Sequence, residues 1–302
     1  MILQNISLLV PCYNASKYIG DFLAHISNLG FAEVIFYDDG STDNTLELLT
    51  KSGFKVIGST ANNGTGFARN RLAGAASCAY IHFHDIDDRF NPDFVRLISE
   101  QLPGSADVIV GDADWIVAAN GETLIEWRYD DQEAGKDTLA YFITHPLGII
   151  NTVYKKDSFL ASGGFNEHIR CWEDSDLHVN LAAQGYAFAF TAKVLAYSMR
   201  HQQGLSSDQD WCWECRLEFL EGYLQHLPTR YRELLLNEVA RCAQAFYDNG
   251  QMAYFDKCIR LCGRYGLRLP VSKNWLIKFL KQLPIPGRVP YDIIRGYKKL
   301  MF

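Results

Sequence analysis

The stretch that decides the fold lies at residues 80–88 and reads YIHFHDIDD. Its first four residues form a short apolar run, which is typical of a buried β-strand. Aspartates follow this run immediately, so the strand is predicted to end where the carboxylates begin. Because parallel α/β sheets bind their ligands beyond the carboxyl ends of the strands, the stretch predicts a strand that leads straight into a binding site.

Four more short apolar runs lie along the chain, at residues 6–10, 34–37, 55–57 and 108–110. Between them, apolar residues recur three and four positions apart, which predicts helices. We expect Asn14 or Ser16 to cap the first helix, and Ser41 or Thr42 to cap the second. Alternating strands and helices indicate an α/β fold whose largely parallel sheet carries helices on both faces.

Past residue 208 the pattern changes to helices alone, so we predict a domain at residues 1–206 and a C-terminal helical subdomain at residues 207–302. Residues 255–302 contain eleven Lys and Arg against two Asp, a net charge of +9, whereas the whole chain carries −6 and the remainder therefore −15. Such asymmetry indicates different partners for the two ends, and the acidic first part argues against nucleic acid.

Export and membrane insertion are not indicated. The N-terminus runs directly into a strand without the basic and apolar regions of a signal peptide, and no stretch of about 18 apolar residues is present. We therefore expect a cytoplasmic protein whose eight cysteines are reduced. The spacing of Cys212, Cys215, Cys258 and Cys262 permits a zinc site, but buried thiols on helix faces are the favoured interpretation.

Acidic pairs follow two of the predicted strands, at residues 38–39 (DD) and 85–88 (DIDD). The alternation in the second group places Asp85 and Asp87 on one side, while Ile86 points into the protein. Hard oxygen ligands of this kind suit Mg²⁺ or Mn²⁺, and a metal held there would offset the charge of a leaving diphosphate. The alternative role is structural, because aspartates after strands also form turns and cap helices.

Six motifs recur in a fixed order along the chain. They are SLLVPCYN (7–14), DDGSTD (38–43), NGTGFARN (63–70), DIDD (85–88), GGFNE (163–167) with Glu173-Asp174, and His201 with Ser206. In this order they resemble glycosyltransferase family two, a large inverting family with the GT-A fold. The last motif departs from the family pattern, because Arg200 is displaced and Gly204 stands where a serine is usual.

The resemblance implies a GT-A fold with a site for a nucleoside-diphosphate sugar. Pro11, Tyr13, Asn14, Asp39 and Gly66 would belong to the donor-binding set, with Asp39 accepting a hydrogen bond from the nucleobase.

The resemblance also assigns the reacting end of that site. Arg69 would lie near the phosphates or Asp85, and Asp85 would hold the ribose or the metal shell. Asp87 would ligate the metal directly. His201 would lie near the metal or the diphosphate, although a loop histidine without a ligand role remains an equal alternative.

Glu173 and Asp174 stand at the start of a predicted helix, and the resemblance makes Asp174 the general base. An inverting transfer needs a carboxylate that takes a proton from the acceptor hydroxyl as the new bond forms. We expect the helix dipole to keep this acid ionised. Charge capping of the helix N-terminus is the alternative role for both residues.

Together these features predict a metal-dependent inverting glycosyltransferase that acts on a glycan or lipid-linked acceptor in bacterial surface polysaccharide synthesis. The basic tail at residues 274–302 suggests either a peripheral membrane contact or a helix packed on the protein. A homodimer remains open. The alternatives are a nucleotidyltransferase that makes the sugar nucleotide, disfavoured by the absence of a triphosphate-binding loop at residues 11–14, and a non-catalytic scaffold.

Overall fold

The computed structural model describes residues 5–102, 104–200 and 209–267. The chain divides into two compact units, Met1–Ser207 and Asp208–Phe302. Within the described ranges no helix is both long and apolar enough to span a bilayer.

A mixed, mostly parallel sheet organises the first unit. Its strands are β1 (Ile6–Cys12), β2 (Glu33–Asp39), β3 (Lys55–Ser59), β4 (Tyr80–Phe83), β5 (Arg89–Phe90), β6 (Val108–Val117), β7 (Thr123–Trp127), β8 (Thr152–Lys155) and β9 (Phe188–Arg200). They lie in the order β3-β2-β1-β4-β8-β6-β9-β5, and β7 pairs with β6 as a hairpin. The predicted α/β fold with a largely parallel sheet is confirmed.

Helices connect these strands. They are α1 (Ser16–Ile26), α2 (Thr45–Lys51), α3 (Thr65–Ala75), α4 (Phe94–Ser99), α5 (Asp131–Lys136), α6 (Thr138–Thr144), α7 (Lys156–Ala161) and α8 (Glu173–Ala183).

Both faces of the sheet are covered by helices. On β1, alternate residues including Leu8 join the core that contains Phe22 of α1 and Phe94 of α4. On the opposite face, Phe83 of β4 contacts Phe159 of α7 at a ring-centroid distance of 5.2 Å. Because neither face of this part of the sheet is left to solvent, its strands appear in the sequence as continuous apolar runs rather than as alternating patterns.

The helix caps differ from the sequence prediction. The residues that precede α1 and α2, Ala15 and Asn44, make no side-chain cap; the carboxylate of Asp43 accepts from the first N–H of both helices, Ser16 at 3.2 Å and Thr45 at 2.9 Å. Instead the two turns interlock: Asn14 Oδ1 accepts from Thr42 N–H at 2.8 Å, and Thr45 Oγ1 accepts from Ala15 N–H at 2.7 Å. The capping residues therefore act between turns, because parallel pairing of β1 and β2 brings both turns to one edge.

Four strands were not predicted, namely β5, β7, β8 and β9. β8 lies between β4 and β6 and is antiparallel to both. β9 runs parallel to β6, but register shifts at residues 111–113 interrupt their pairing. Such irregular pairs break the alternation on which strand prediction depends.

The second unit contains α9 (Gln209–His226), α10 (Arg232–Asp248) and α11 (Met252–Arg264), with a short 3-10 helix at Thr229–Tyr231. Arg216 of α9 forms a buried ion pair with Glu238 of α10 at 2.8 Å. Cys242, Cys258 and Cys262 are fully buried on α10 and α11. No cluster of three or more His, Cys, Asp or Glu suited to a metal occurs in the described part of the chain.

Gly40 provides a test of the turn at the end of β2. Its φ is +71°, and an added Cβ would lie 2.6 Å from the carbonyl carbon of Ala61. Gly53 also has a positive φ, +81°, but open space around it. We expect Gly53→Ala to cost about 1 kcal/mol of unfolding free energy from backbone strain alone. Gly40→Ala should cost about 2–5 kcal/mol, because overpacking adds to that strain.

Urea unfolding of both variants measures this difference. Equal losses in the two variants would show that the close approach of Ala61 is relaxed at little cost.

Candidate active site

Three parallel strands deliver the acidic residues to one edge of the sheet. β1 pairs with β2 and with β4, so the segments that follow Cys12, Asp39 and Phe83 all emerge on the same side. The predicted donor-site residues of the first motif lie here. Pro11 is half-buried on β1, Tyr13 is 47% exposed, and Asn14 has a left-handed backbone with φ of 49°.

Asp39 anchors the loop that precedes α3. The residue is 4% exposed, and its carboxylate accepts from the backbone N–H of Asn63 at 3.0 Å and of Gly64 at 2.8 Å. Ser59 Oγ donates to the same carboxylate at 3.0 Å. Asp39 therefore shapes the loop whatever else it binds, and its contact with a nucleobase stays a prediction.

Asn70 joins α3 to the segment at residues 163–167. Its amide nitrogen donates to Phe165 O and Glu167 Oε1, both at 2.9 Å, while its Oδ1 accepts from Phe165 N–H at 2.9 Å. Gly66 of α3 is buried against the same segment, where an added Cβ would lie 3.4 Å from Phe165 Cβ. The two motifs are thus parts of one structure, although almost a hundred residues separate them.

Arg69 joins the acidic cluster to α8. Its guanidinium donates to Asp85 Oδ1 and to Glu173 Oε1, each at 2.7 Å, and the side chain is buried. Burial opposes the charge, but the two carboxylates outweigh it and raise the pKa of Arg69. The residue is therefore a permanent cation between two acids. Its Nε–H has no partner among the described residues.

The DIDD segment forms a turn directly after β4. Ile86 is buried, whereas Asp85 and Asp87 keep partial access to solvent. Asp88 is buried and accepts from Met199 N–H at 2.7 Å. Burial, together with the negative charges of Asp85 and Asp87, raises the pKa of Asp88. Three carboxylates therefore lie close enough at this turn to repel one another, and a bound cation would reduce that repulsion.

Asp174 lies in the first turn of α8, beside Glu173. It is densely surrounded by protein, although part of its surface stays accessible, and its Oδ1 accepts from Ser175 N–H at 2.7 Å. Burial, then the charge of Glu173, raise the pKa of Asp174 to about 7, against the opposing effect of Arg69. The expectation that the helix dipole keeps this acid ionised is wrong, because desolvation is the larger effect.

A buried chain of hydrogen bonds supports the start of α8. Thr152 Oγ1 donates to Ile149 O at 2.8 Å, so it accepts from Tyr154 Oη, also at 2.8 Å. Tyr154 Oη in turn accepts from His178 Nε2–H at 2.6 Å. Burial lowers the pKa of His178 to about 3, so the ring is neutral. These hydrogen bonds connect α8, the helix that carries Asp174, to β8, which pairs with β4.

Sequence reasoning missed Tyr129, which lies near Asp174. Its hydroxyl donates to Pro146 O at 3.2 Å, and burial, with a smaller contribution from the Asp174 carboxylate, raises its pKa. No signal marks this tyrosine in the sequence, since the segment before β8 contains no recognised motif. His201 and Ser206 lie outside the described residues, as does the basic tail at residues 274–302.

The sequence profile of Glycosyl transferase family 2 matches residues 7–159, half of the chain. The glycosyltransferase GlyG of Streptococcus pneumoniae is 31% identical over 114 residues, which are 35% of this chain and 38% of that protein. The alignment thus spans well under two-thirds of that relative.

Solved structures share the fold. TarS of S. aureus, residues 1–349 in complex with UDP-GlcNAc, has a TM-score of 0.58 at 19% identity over 89% of this chain and 94% of that one. The mannosyltransferase PcManGT of Pyrobaculum calidifontis, in complex with GDP-Man and Mn²⁺, has a TM-score of 0.59 at 13% identity. The match covers 96% of this chain and 82% of that one. With these motifs at one edge of the sheet and the profile matched over half of its length, the chain belongs to glycosyl transferase family 2.

Proposed function

We propose that this protein transfers a sugar from a nucleoside-diphosphate sugar to an acceptor hydroxyl, with inversion at the anomeric carbon. The observation that carries the proposal is the double ion pair of Arg69. Arg69 pairs with Asp85, which belongs to the acidic turn, and with Glu173, which is next to Asp174. One side chain therefore connects the acidic turn to the start of α8. The reaction requires a group that neutralises a leaving diphosphate and a group that accepts a proton, and these neighbouring carboxylates support the assignment of both roles.

Asp174 is the general base in this proposal. Its carboxylate removes the proton from the acceptor hydroxyl while the acceptor oxygen forms a bond to the anomeric carbon. The bond from that carbon to the diphosphate breaks, and the diphosphate leaves with the electron pair. A pKa near 7 suits this role, because general bases work best when their pKa lies close to the operating pH.

Asp87 and Asp85 are the residues that would hold a divalent metal. Asp85 Oδ2 has no hydrogen-bond partner among the described residues, although Oδ1 is bound by Arg69. Carboxylate oxygens from a short turn suit Mg²⁺ or Mn²⁺, which complete their shells with water and substrate phosphates. A metal bound here would neutralise charge on the leaving diphosphate. The donor set therefore fits the metal that the sequence predicts.

The acceptor is proposed to be a growing surface glycan or a lipid-linked saccharide. Similarity to the glycosyltransferase GlyG of Streptococcus pneumoniae supports a bacterial glycan, and the acidic character of the first unit disfavours a nucleic-acid acceptor. Contact of the basic tail with a membrane remains part of the proposal.

Asp87→Ala tests the metal and donor half of the site. We expect the wild-type protein to bind or hydrolyse members of a sugar-nucleotide panel with Mg²⁺ or Mn²⁺, and the variant to lose at least about tenfold in donor affinity in the presence of metal. Isothermal calorimetry and a thermal-shift screen, each with and without metal, measure the effect. Asp93→Ala is the matched control, because Asp93 is exposed and, within the described residues, its carboxylate pairs with Arg96 alone.

The two alternatives give different results. A non-catalytic scaffold would bind neither UDP nor GDP with Mn²⁺. A nucleotidyltransferase would release pyrophosphate from a nucleoside triphosphate and a sugar phosphate. Full activity of Asp87→Ala would contradict the assignment of Asp87 as a metal ligand.

A further inference from the structure

A tryptophan patch lies on the β6–β7 hairpin, outside every motif used above. Trp115 of β6 and Trp127 of β7 have ring centroids 4.7 Å apart. Cross-strand pairing sets Trp115 opposite Ile125 and Trp127 opposite Ala113, so both rings lie on one face of the hairpin. Both tryptophans are only half-buried, and Ile125 is 41% exposed. Large aromatic rings that pack a core are buried more fully than these.

Arg200 forms one end of the patch. Arg200 ends β9, the strand that pairs with β6. Its guanidinium carbon lies 4.1 Å from the ring centroid of Trp115. Within the described ranges Arg200 forms no ion pair, and it is partly exposed. The contact holds the planar cation beside the indole and so places its N–H donors next to an aromatic surface.

Trp127 forms the other end, which approaches the residues around Asp174. Trp127 lies against Gly148, where an added Cβ would be 3.1 Å from the indole Cζ3 and 3.4 Å from Asn151 Oδ1. Asn151 is fully buried, its amide nitrogen donates to Gly111 O, and its Oδ1 has no partner among the described residues. The indole of Trp127 is thus held close to the backbone of Gly148 and the buried side chain of Asn151.

Tyr129 completes the path from the patch to the base. It lies two residues after Trp127, its hydroxyl donates to the carbonyl of Pro146, and the charge of Asp174 acts on it. The segment at residues 146–151 therefore contacts Trp127 on one side and borders the surroundings of Asp174 on the other.

The composition of the patch matches one class of ligand. A pyranose ring presents a flat face of C–H groups that packs on an indole, and a rim of hydroxyls that need donors and acceptors. Aromatic walls with a few placed polar groups are typical of small-molecule sites. Trp127 and Trp115 supply the walls, and Arg200 supplies donors.

We propose that Trp127, Trp115 and Arg200 form the acceptor-saccharide subsite, in which a pyranose ring stacks on Trp127 and its chain end points toward Asp174. This inference rests on the proposed transfer of a sugar to a hydroxyl. It adds that the acceptor is itself a saccharide of at least two rings, since one ring occupies the patch while another presents its hydroxyl to the base.

The test uses the full chain labelled with 5-fluorotryptophan. The protein contains six tryptophans, and the ¹⁹F resonance that disappears in Trp127→Phe identifies Trp127. The probes are four tetrasaccharides, built from glucose, N-acetylglucosamine, galactose and mannose. We expect at least one tetrasaccharide, at millimolar concentration, to shift the Trp127 resonance. We also expect that tetrasaccharide to serve as acceptor when the donor found in the sugar-nucleotide panel is supplied.

Kinetics with that probe separate binding from folding. Trp127→Ala should lower kcat/KM for the saccharide by about tenfold to a hundredfold, mostly through KM, because stacking residues at the centre of a site carry most of its affinity. Trp127→Phe should keep part of the activity. The affinity for the donor sugar nucleotide should change by less than about threefold. Leu124→Ala is the control, since Leu124 is 52% exposed on the same strand and is not part of the patch.

Three outcomes overturn the subsite: no shift of the Trp127 resonance with any tetrasaccharide, an unchanged kcat/KM in Trp127→Ala, or equal losses of acceptor and donor binding, which would mean a packing role. Failure of the proposed function is distinguishable, because the wild-type protein would then bind no sugar nucleotide while the ¹⁹F titration still reports on the patch.

Discussion

Asp174→Asn should lower the rate of sugar transfer by about 10²- to 10⁴-fold, which is the usual contribution of a general base. The amide has nearly the shape of the carboxylate but cannot take the acceptor proton. Binding of the sugar nucleotide should survive, because Arg69 and Asp87 are untouched. Single-turnover rates and donor affinity by calorimetry measure the two quantities separately.

The pH profile gives a second measurement of the same residue. Burial raises the pKa of Asp174 to about 7, so the wild-type kcat/KM should fall tenfold per pH unit below about pH 7. This acid limb should be absent from the residual activity of Asp174→Asn. A wild-type profile that stays flat down to pH 5 would assign the proton transfer to another group.

Stability should change in the opposite direction from activity. A carboxyl whose pKa is higher in the folded than in the unfolded chain binds more protons when folded, so stability falls as pH rises between about 4 and 7. Above that window the folded protein holds an unfavourable buried charge, which Asp174→Asn removes. We therefore expect the variant to be at least as stable as the wild type at pH 8, by urea unfolding.

Arg69→Met should cost about 2–4 kcal/mol of unfolding free energy, because it leaves the mostly buried Glu173 and the partly exposed Asp85 without their shared cation. Arg71→Met is the matched control. Arg71 lies two residues further along α3, is exposed, and contacts the ring of Phe67 instead of a carboxylate. Its replacement should change stability by no more than about 0.5 kcal/mol.

Arg69→Lys keeps the charge and tests the geometry if the methionine variant fails to fold. A lysine ammonium is a point charge and cannot span two carboxylates as the planar guanidinium does. We expect a loss of activity while the acid limb of kcat/KM stays near its wild-type pH, because the retained positive charge still lowers the pKa of Asp174. Full activity of Arg69→Lys would show that the planar geometry of the double ion pair is not needed.

The motifs could be found in the sequence, but their partners could not. Residues 63–70 and 163–167 each stand out as a pattern, yet only the structure joins them through the side-chain amide of Asn70. The sequence places Glu173 beside Asp174, but it does not reveal the ion pair between Glu173 and Arg69. These two residues are 104 positions apart. Pairwise contacts of this kind follow from how α3 and α8 pack, which a linear pattern does not contain.

Helix caps and the ionisation of Asp174 show the same limit. Asn14 and Thr42 have the side chains that cap helices, and they do form hydrogen bonds at the turns, but with each other. A helix dipole acts within one helix and can be inferred from the sequence. Desolvation depends on every group that surrounds Asp174, and it reverses the expected direction of the pKa shift.

By itself the sequence determined the α/β fold, the edge of the sheet where the acidic turns lie, and the family. These follow from local information: short apolar runs form buried strands, and the residues after parallel strands emerge together. Only the tertiary structure decided that Arg69 connects the DIDD turn at residues 85–88 to α8, and that burial raises the pKa of Asp174. It also brought Trp127 and Asn151 together, because irregular pairing and packing between distant segments are non-local.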